Sequence, residues 1–124
     1  MGTDKIEIAL IGHCGPDSFA LQSSVMGFVP GAVIHKINSQ SDFESKKDQL
    51  SLLLVNRVLE EGFETGSGIE FIQALGEGDP KAMLISNFEA SIAESIEVGA
   101  VAGYGKSTMR SDQAEAALKS ALGL

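Results

Sequence analysis

The sequence predicts an α/β fold of five strand–helix units, with a parallel sheet covered on both faces. Three observations predict it. Short aliphatic runs of strand length alternate with segments of helical periodicity. The run Leu52-Leu53-Leu54-Val55 is continuous, as in a strand buried on both faces. Polar residues collect where the strands end: Gly12-His13-Cys14, Asn38-Ser39, Asn56-Arg57, Ser86-Asn87 and Lys106-Ser107. In an open parallel sheet those ends share one rim, and a site is expected there.

Residues 6–11 read as the first strand. Asp17 or Ser18 then caps a helix whose apolar positions Leu21, Val25, Phe28 and Val29 recur at helical spacing, and Pro30-Gly31 stops it. Residues 32–37 form a second strand, broken by His35-Lys36 as an edge strand tolerates. Ser41-Asp42-Phe43-Glu44 has capping-box spacing and opens a short helix. Residues 51–55 are the third strand, followed directly by Asn56. A glycine-bearing acidic loop spans 60–68, and Ile69, Ile72 and Leu75 give the next helix its face, ended by Gly76. Asp79-Pro80 leads into a fourth strand at 81–86. Asn87 or Ser91 caps a helix with Ile92 and Ile96 inward and Gly99 at its end. Residues 100–104 are a fifth strand. The last helix starts near Ser111 and sets Ala114, Ala117, Leu118, Ala121 and Leu122 on one face.

Length and charge bound the function. The 124 residues fit a single domain, 1–124, with no internal linker or repeat. A net charge of −8 disfavours a nucleic-acid surface, which needs a basic face. One cysteine, Cys14, excludes an internal disulfide and fits a reducing compartment. The start Met1-Gly2-Thr3-Asp4-Lys5 has no signal-peptide character, and Ile6 stands where a myristoylation start needs serine or threonine. No run approaches the ~18 apolar residues of a membrane helix. The expectation is a cytoplasmic domain.

The layout resembles the response-regulator receiver domain of two-component signal transduction, in its chemotaxis-regulator-like form, over nearly the whole chain. Gly99-Ala100, a short strand and then Lys106 have the receiver spacing from glycine-alanine to lysine. Ser86 follows Met83-Leu84-Ile85 where receivers keep serine or threonine, and Gly68-Ile69-Glu70-Phe71-Ile72 is similar to the receiver's third-helix opening. The resemblance implies a (βα)5 flavodoxin-like three-layer sandwich with strand order 2-1-3-4-5.

The departures fall on the chemistry. Receivers place the phosphoacceptor aspartate where this chain has Asn56. They keep a magnesium-binding acidic pair at the end of the first strand, where this chain has Gly12-His13-Cys14, with Asp17 the nearest acid beyond Pro16. The proline expected after the lysine is Ser107, and the aromatic expected three residues before it is replaced by Gly103, with Tyr104 next. Aspartyl phosphorylation needs both a carboxylate nucleophile and a metal to offset the phosphoryl charge. The degenerate positions are Gly12, His13, Asn56, Ser86 and Lys106, and no magnesium or other cofactor is expected. Lys106 is expected beside neutral Asn56, making the rim locally positive, or else solvated or bonded to a rim carbonyl.

The expected function is a pseudo-receiver that signals by binding a protein partner or a second copy. The resemblance implies a partner face including Ile96, Tyr104, Met109 and Arg110. The alternative is a small-anion or redox sensor at a rim pocket around Asn56, Lys106 and Cys14, with Ser86 as a further anion ligand.

Other motifs are weaker. Ala100 to Ser107 loosely matches a phosphate loop but lies within strand context. His13-Cys14 lacks the arginine of a phosphatase loop. His13, Cys14 and His35 lack metal-site spacing and read as two partly exposed histidines and a thiol. Ser86 has no nucleophile-elbow glycines, and the acids of 60–79 lack calcium-loop spacing. No enzyme activity is expected.

Overall fold

The computed structural model describes residues 5–124, so Met1 to Asp4 and the readings made on them lie outside the described residues. Five strands, β1 (Glu7–Ile11), β2 (Val33–Ile37), β3 (Leu52–Asn56), β4 (Lys81–Ile85) and β5 (Val101–Tyr104), form one sheet of order β2-β1-β3-β4-β5. Every pairing is parallel. The helices are α1 (Gly15–Phe28), α2 (Gln40–Lys46), α3 (Gly68–Gln73), α4 (Glu89–Glu97) and α5 (Asp112–Leu122). This is the flavodoxin-like three-layer arrangement expected from the alternation.

Strand alternation splits the core into two layers. Ile8, Leu10, Leu52, Leu54, Met83 and Ile85 face α1 and α5, where Leu21, Val25, Ala114 and Leu118 cover them. Ala9, Ile11, Leu53, Val55 and Leu84 face the other way, onto Phe43 of α2 and Phe71 and Ile72 of α3. The central strands β1, β3 and β4 are therefore apolar on both sides. The edge strand β2 keeps His35 and Lys36, and His35 Nε2 meets Glu7 Oε1 at 2.9 Å.

Several helix starts differ from expectation. Cys14, not Asp17 or Ser18, is the N-cap of α1, because Pro16 fits the first turn, where its missing N–H leaves no bond unmade. Ser39, not Ser41, caps α2: its Oγ accepts from the Asp42 amide at 3.1 Å, a serine-x-x-aspartate spacing two residues upstream. Neither Asn87 nor Ser91 caps α4. Phe88 holds that position, and its amide donates to Ser86 Oγ at 3.0 Å. Ile96, expected inward, is 45% exposed, and Ser95 takes the buried place by donating its Oγ hydrogen to the Ile92 carbonyl. In α3 the large buried side chain is Phe71, which the Ile69, Ile72, Leu75 face omits.

The fifth strand carries an irregularity that decides where its aromatic goes. Met83 pairs with Val101 and Ile85 with Tyr104, so β5 spends one more residue than β4 over the same stretch. At Gly103 a Cβ would overlap the Leu84 carbonyl oxygen, so no side chain fits there. The extra residue turns Tyr104 into the α1/α5 core layer, where it is 3% exposed. Burial raises its phenol pKa, and among the described residues no group pairs with its hydroxyl. An unmade buried hydrogen bond costs about 1–3 kcal/mol, so Tyr104→Phe keeps the ring and removes that cost. Its expected outcome is equal or greater thermal stability, up to about 1 kcal/mol or roughly 3–5 °C in Tm. A loss of several degrees in a melting curve would show that the hydroxyl has a stabilising partner.

Candidate functional site

The sheet order reverses direction between β1 and β3, so their carboxyl ends diverge and open the crevice where ligands bind in such folds. Two side chains bridge that divergence in opposite directions. His13, just past β1, places Nε2 2.9 Å from the Leu54 carbonyl of β3. Asn56, the last residue of β3, donates its amide Nδ2 to the Gly12 carbonyl at 3.1 Å and to the Val58 carbonyl at 2.9 Å. All three partners are carbonyls, which only accept. Nitrogen must therefore face them in Asn56, and Nε2 must carry the ring hydrogen in His13.

Glycine is required at position 12. Its φ is +73°, and a Cβ would overlap Leu59 Cδ2 of the β3–α3 loop. Gly68 meets the same crowding from the other side, because a Cβ there would overlap the Asn56 carbonyl oxygen. Glycine at 12 thus answers to its φ and the Leu59 side chain, and glycine at 68 to the Asn56 backbone.

Lys106 is neither bare nor solvated nor bonded to a carbonyl. Its Nζ lies 2.7 Å from Asp17 Oδ2, with the two side chains 26% and 37% exposed. That hydrogen bond is the main reason the Asp17 carboxyl sits below the usual aspartate range. The early start of α1 places Asp17 in its first turn and lets it reach Lys106. Asp17 therefore offsets the charge of Lys106, while Arg57 remains a cation in the same cavity. Arg57 is also engaged, its guanidinium 4.9 Å from the centre of the Phe88 ring. Asn87 Oδ1 accepts from both the amide and the hydroxyl of Ser107, tying the loop after β4 to the loop after β5.

Asn56 and Lys106 do line one cavity, of about 300 Å³, with Arg57, Ser86 and Phe88. Cys14 does not. It is exposed and lines a separate cavity of about 270 Å³ with His13, Asn38, Glu60 and Glu61. The rim pocket expected around Asn56, Lys106 and Cys14 is thus two pockets, because Cys14 caps α1 on the β1/β2 side while Asn56 and Lys106 open toward β4 and β5. Of the expected partner face, Ile96 and Arg110 are exposed, whereas Tyr104 and Met109 are buried beneath α5. His35 is held by Glu7 at the sheet edge and His13 is buried, so the two histidines do not converge. Among the described residues, no three His, Cys, Asp or Glu side chains are placed to hold a metal ion. Asp17 and Asn87 are the rim residues that sequence reasoning missed as partners; Pro16, as a first-turn signal, places Asp17 on α1.

Burial holds the His13 pKa down at about 4 from an ordinary 6.5. The unfolded chain therefore takes up this proton first as pH falls. The contribution is complete above about pH 6.5 and is lost progressively toward pH 4, to a total of about 3 kcal/mol. His13→Gln, which keeps a neutral donor for the Leu54 carbonyl, is expected to flatten that slope in urea titrations run between those pH values. An unchanged slope in the variant would assign the acid sensitivity to other groups.

No protein-family model and no curated protein matches the chain. Solved structures do match. The response regulator RcsB of Salmonella typhimurium superposes with a TM-score of 0.74 at 12% identity, covering 98% of this chain and 62% of that one. The response regulator ChrA of a heme-sensing two-component system gives 0.67 at 23% identity, over 98% and 56%. The signal receiver domain of a DNA-binding response regulator from Colwellia psychrerythraea gives 0.69 at 14% identity, over 97% and 100%. The chain thus spans about three-fifths of the first two and the whole of the third. At these identities the likeness is one of fold.

Proposed function

We propose that this chain is a degenerate receiver domain of two-component signal transduction, working in the cytoplasm by protein–protein interaction without aspartyl phosphorylation or magnesium. The fold supports it, since receiver structures superpose over nearly the whole chain. The observation that carries it is the reciprocal bonding of Asn56 and His13 to backbone carbonyls. Both residues act as donors. A carboxylate at either place can only accept, and it would face a carbonyl with nothing to share.

The remaining parts of the site point the same way. Gly12 has no side chain with which to bind a cation. Ser86 Oγ is taken up by the Phe88 amide, and Lys106 is paired with Asp17. An anion entering beside Asn56 would compete with Asp17 for Lys106, which weakens the case for anion sensing.

Two measurements test the reading. The protein incubated with an acyl phosphate and magnesium is expected to keep its intact mass, and beryllofluoride is expected to leave its amide spectrum unchanged. Asn56→Asp is expected to remain unphosphorylated and to lose about 2–3 kcal/mol of stability, since it breaks two hydrogen bonds and sets a charge against two carbonyls. A magnesium-dependent gain of one phosphoryl group in the unmodified protein would sink the proposal.

A further inference from the structure

The loop between β3 and α3 holds two glutamates over the carboxyl end of β1. Leu59, 4% exposed, packs over Gly12 and anchors one side of the loop. Further along, the Gly62 carbonyl accepts from the Gln40 amide at 2.6 Å and anchors the other. Between these anchors stand Glu60 and Glu61, both exposed. Adjacent like charges repel, and among the described residues neither glutamate has an ion-pair partner. Both line the cavity of about 270 Å³ beside β1, with His13, Cys14, Asn38 and Phe63.

His13 is an independent sign that this cavity takes a ligand. The residue is buried, and its Nε2 hydrogen goes to the Leu54 carbonyl. Nδ1 is then a lone pair that can only accept. It is buried and has no partner among the described residues. An acceptor in that condition is costly, and native folds seldom leave one unmet. Burial also keeps the ring neutral at neutral pH, so the lone pair is retained.

The lining selects the ligand. Two carboxylates, an imidazole lone pair and the Asn38 amide oxygen all accept, so they suit a donor that carries positive charge. An anion would oppose both glutamates on a chain of net charge −8. A metal ion fits poorly, because among the described residues no three His, Cys, Asp or Glu side chains are placed to hold one. A primary ammonium has three donor hydrogens and no acceptor, which matches the set. We propose that this cavity binds a protonated primary amine, its ammonium shared between His13 Nδ1 and the Glu60 and Glu61 carboxylates and its alkyl stem against Phe63. Amine binding asks nothing of Asn56, so it and the proposed function can fail separately.

The test is a titration of the amide spectrum with 1,4-diaminobutane, with 1-butanol and matched sodium chloride as controls. Saturable shifts are expected at Cys14, Asn38, Glu60 and Glu61, with a Kd on the order of 1 mM, and none at Ser86 or Lys106. The His13 Nδ1 nitrogen resonance is expected to move upfield as it accepts a hydrogen bond. Glu60→Gln combined with Glu61→Gln, at exposed positions, is expected to weaken binding at least about tenfold and leave the melting temperature nearly unchanged. Nα-acetyl-lysine methylamide, titrated alongside, separates a free amine from a lysine side chain of a partner. Whichever binds more tightly names the source, and either supports the site. No saturable shift up to about 50 mM amine overturns the proposal. So do equal shifts with butanol or sodium chloride, binding that survives the double substitution, or an unmoved Nδ1 resonance.

Discussion

The crevice between β1 and β3 rests on a pair of crossed hydrogen bonds. Past the last paired residues, Ile11 and Val55, the two central strands must part, because one connection runs toward β2 and the other toward β4. Parting leaves backbone carbonyls beyond the ladder, and a buried carbonyl without a donor is costly. His13 from the β1 side serves Leu54, and Asn56 from the β3 side serves Gly12. The ladder is in effect extended by side chains. Both residues are therefore committed to the backbone.

Around that lock the other rim loops are tied in turn. Asp17 and Lys106 join α1 to the turn after β5 across 89 residues of sequence. Asn87 joins the β4 loop to Ser107, and Arg57 lies over Phe88. In a rim that responds to an anionic ligand, some of these groups would stand free to receive it. Here each cation is engaged, and the serine after β4 holds a helix start. The bulge in β5 fixes Tyr104 inside the core, so the aromatic nearest the rim packs among helix side chains and contributes no surface. The rim loops are thus held to one another by side-chain contacts.

The fold was legible in the sequence because it depends on periodicity and on apolar runs, both local properties. Leu52 to Val55 could be placed as a central strand, and Ala114, Leu118 and Ala121 as the inner face of the last helix, without knowing any contact. Boundaries went astray where two signals competed. Ser39 and Ser41 both had an acid three residues on, and the first holds the cap. Pro16 marked the start of α1 more reliably than Asp17, and misplacing that start concealed Asp17 as the partner of Lys106. The site was legible as a set of positions but not as a set of bonds. That Asn56 would donate to Gly12 depends on where two strands part, and that Tyr104 would turn inward depends on one extra residue in β5. Neither has a local signature.

The distribution of charge carries the final step. Like charge keeps copies of an acidic protein apart. In this chain no aspartate, glutamate, lysine or arginine lies between Asp17 and Lys36, a stretch that covers most of α1, the turn after it and the start of β2. Asp17, the one charge on α1, is neutralised by Lys106 at the rim end of the helix. The ion pair thereby extends the uncharged surface to the first turn. Lys106 thus offsets the only charge on this helix. The rim and the exposed apolar surface of α1 are thus linked through one pair of side chains.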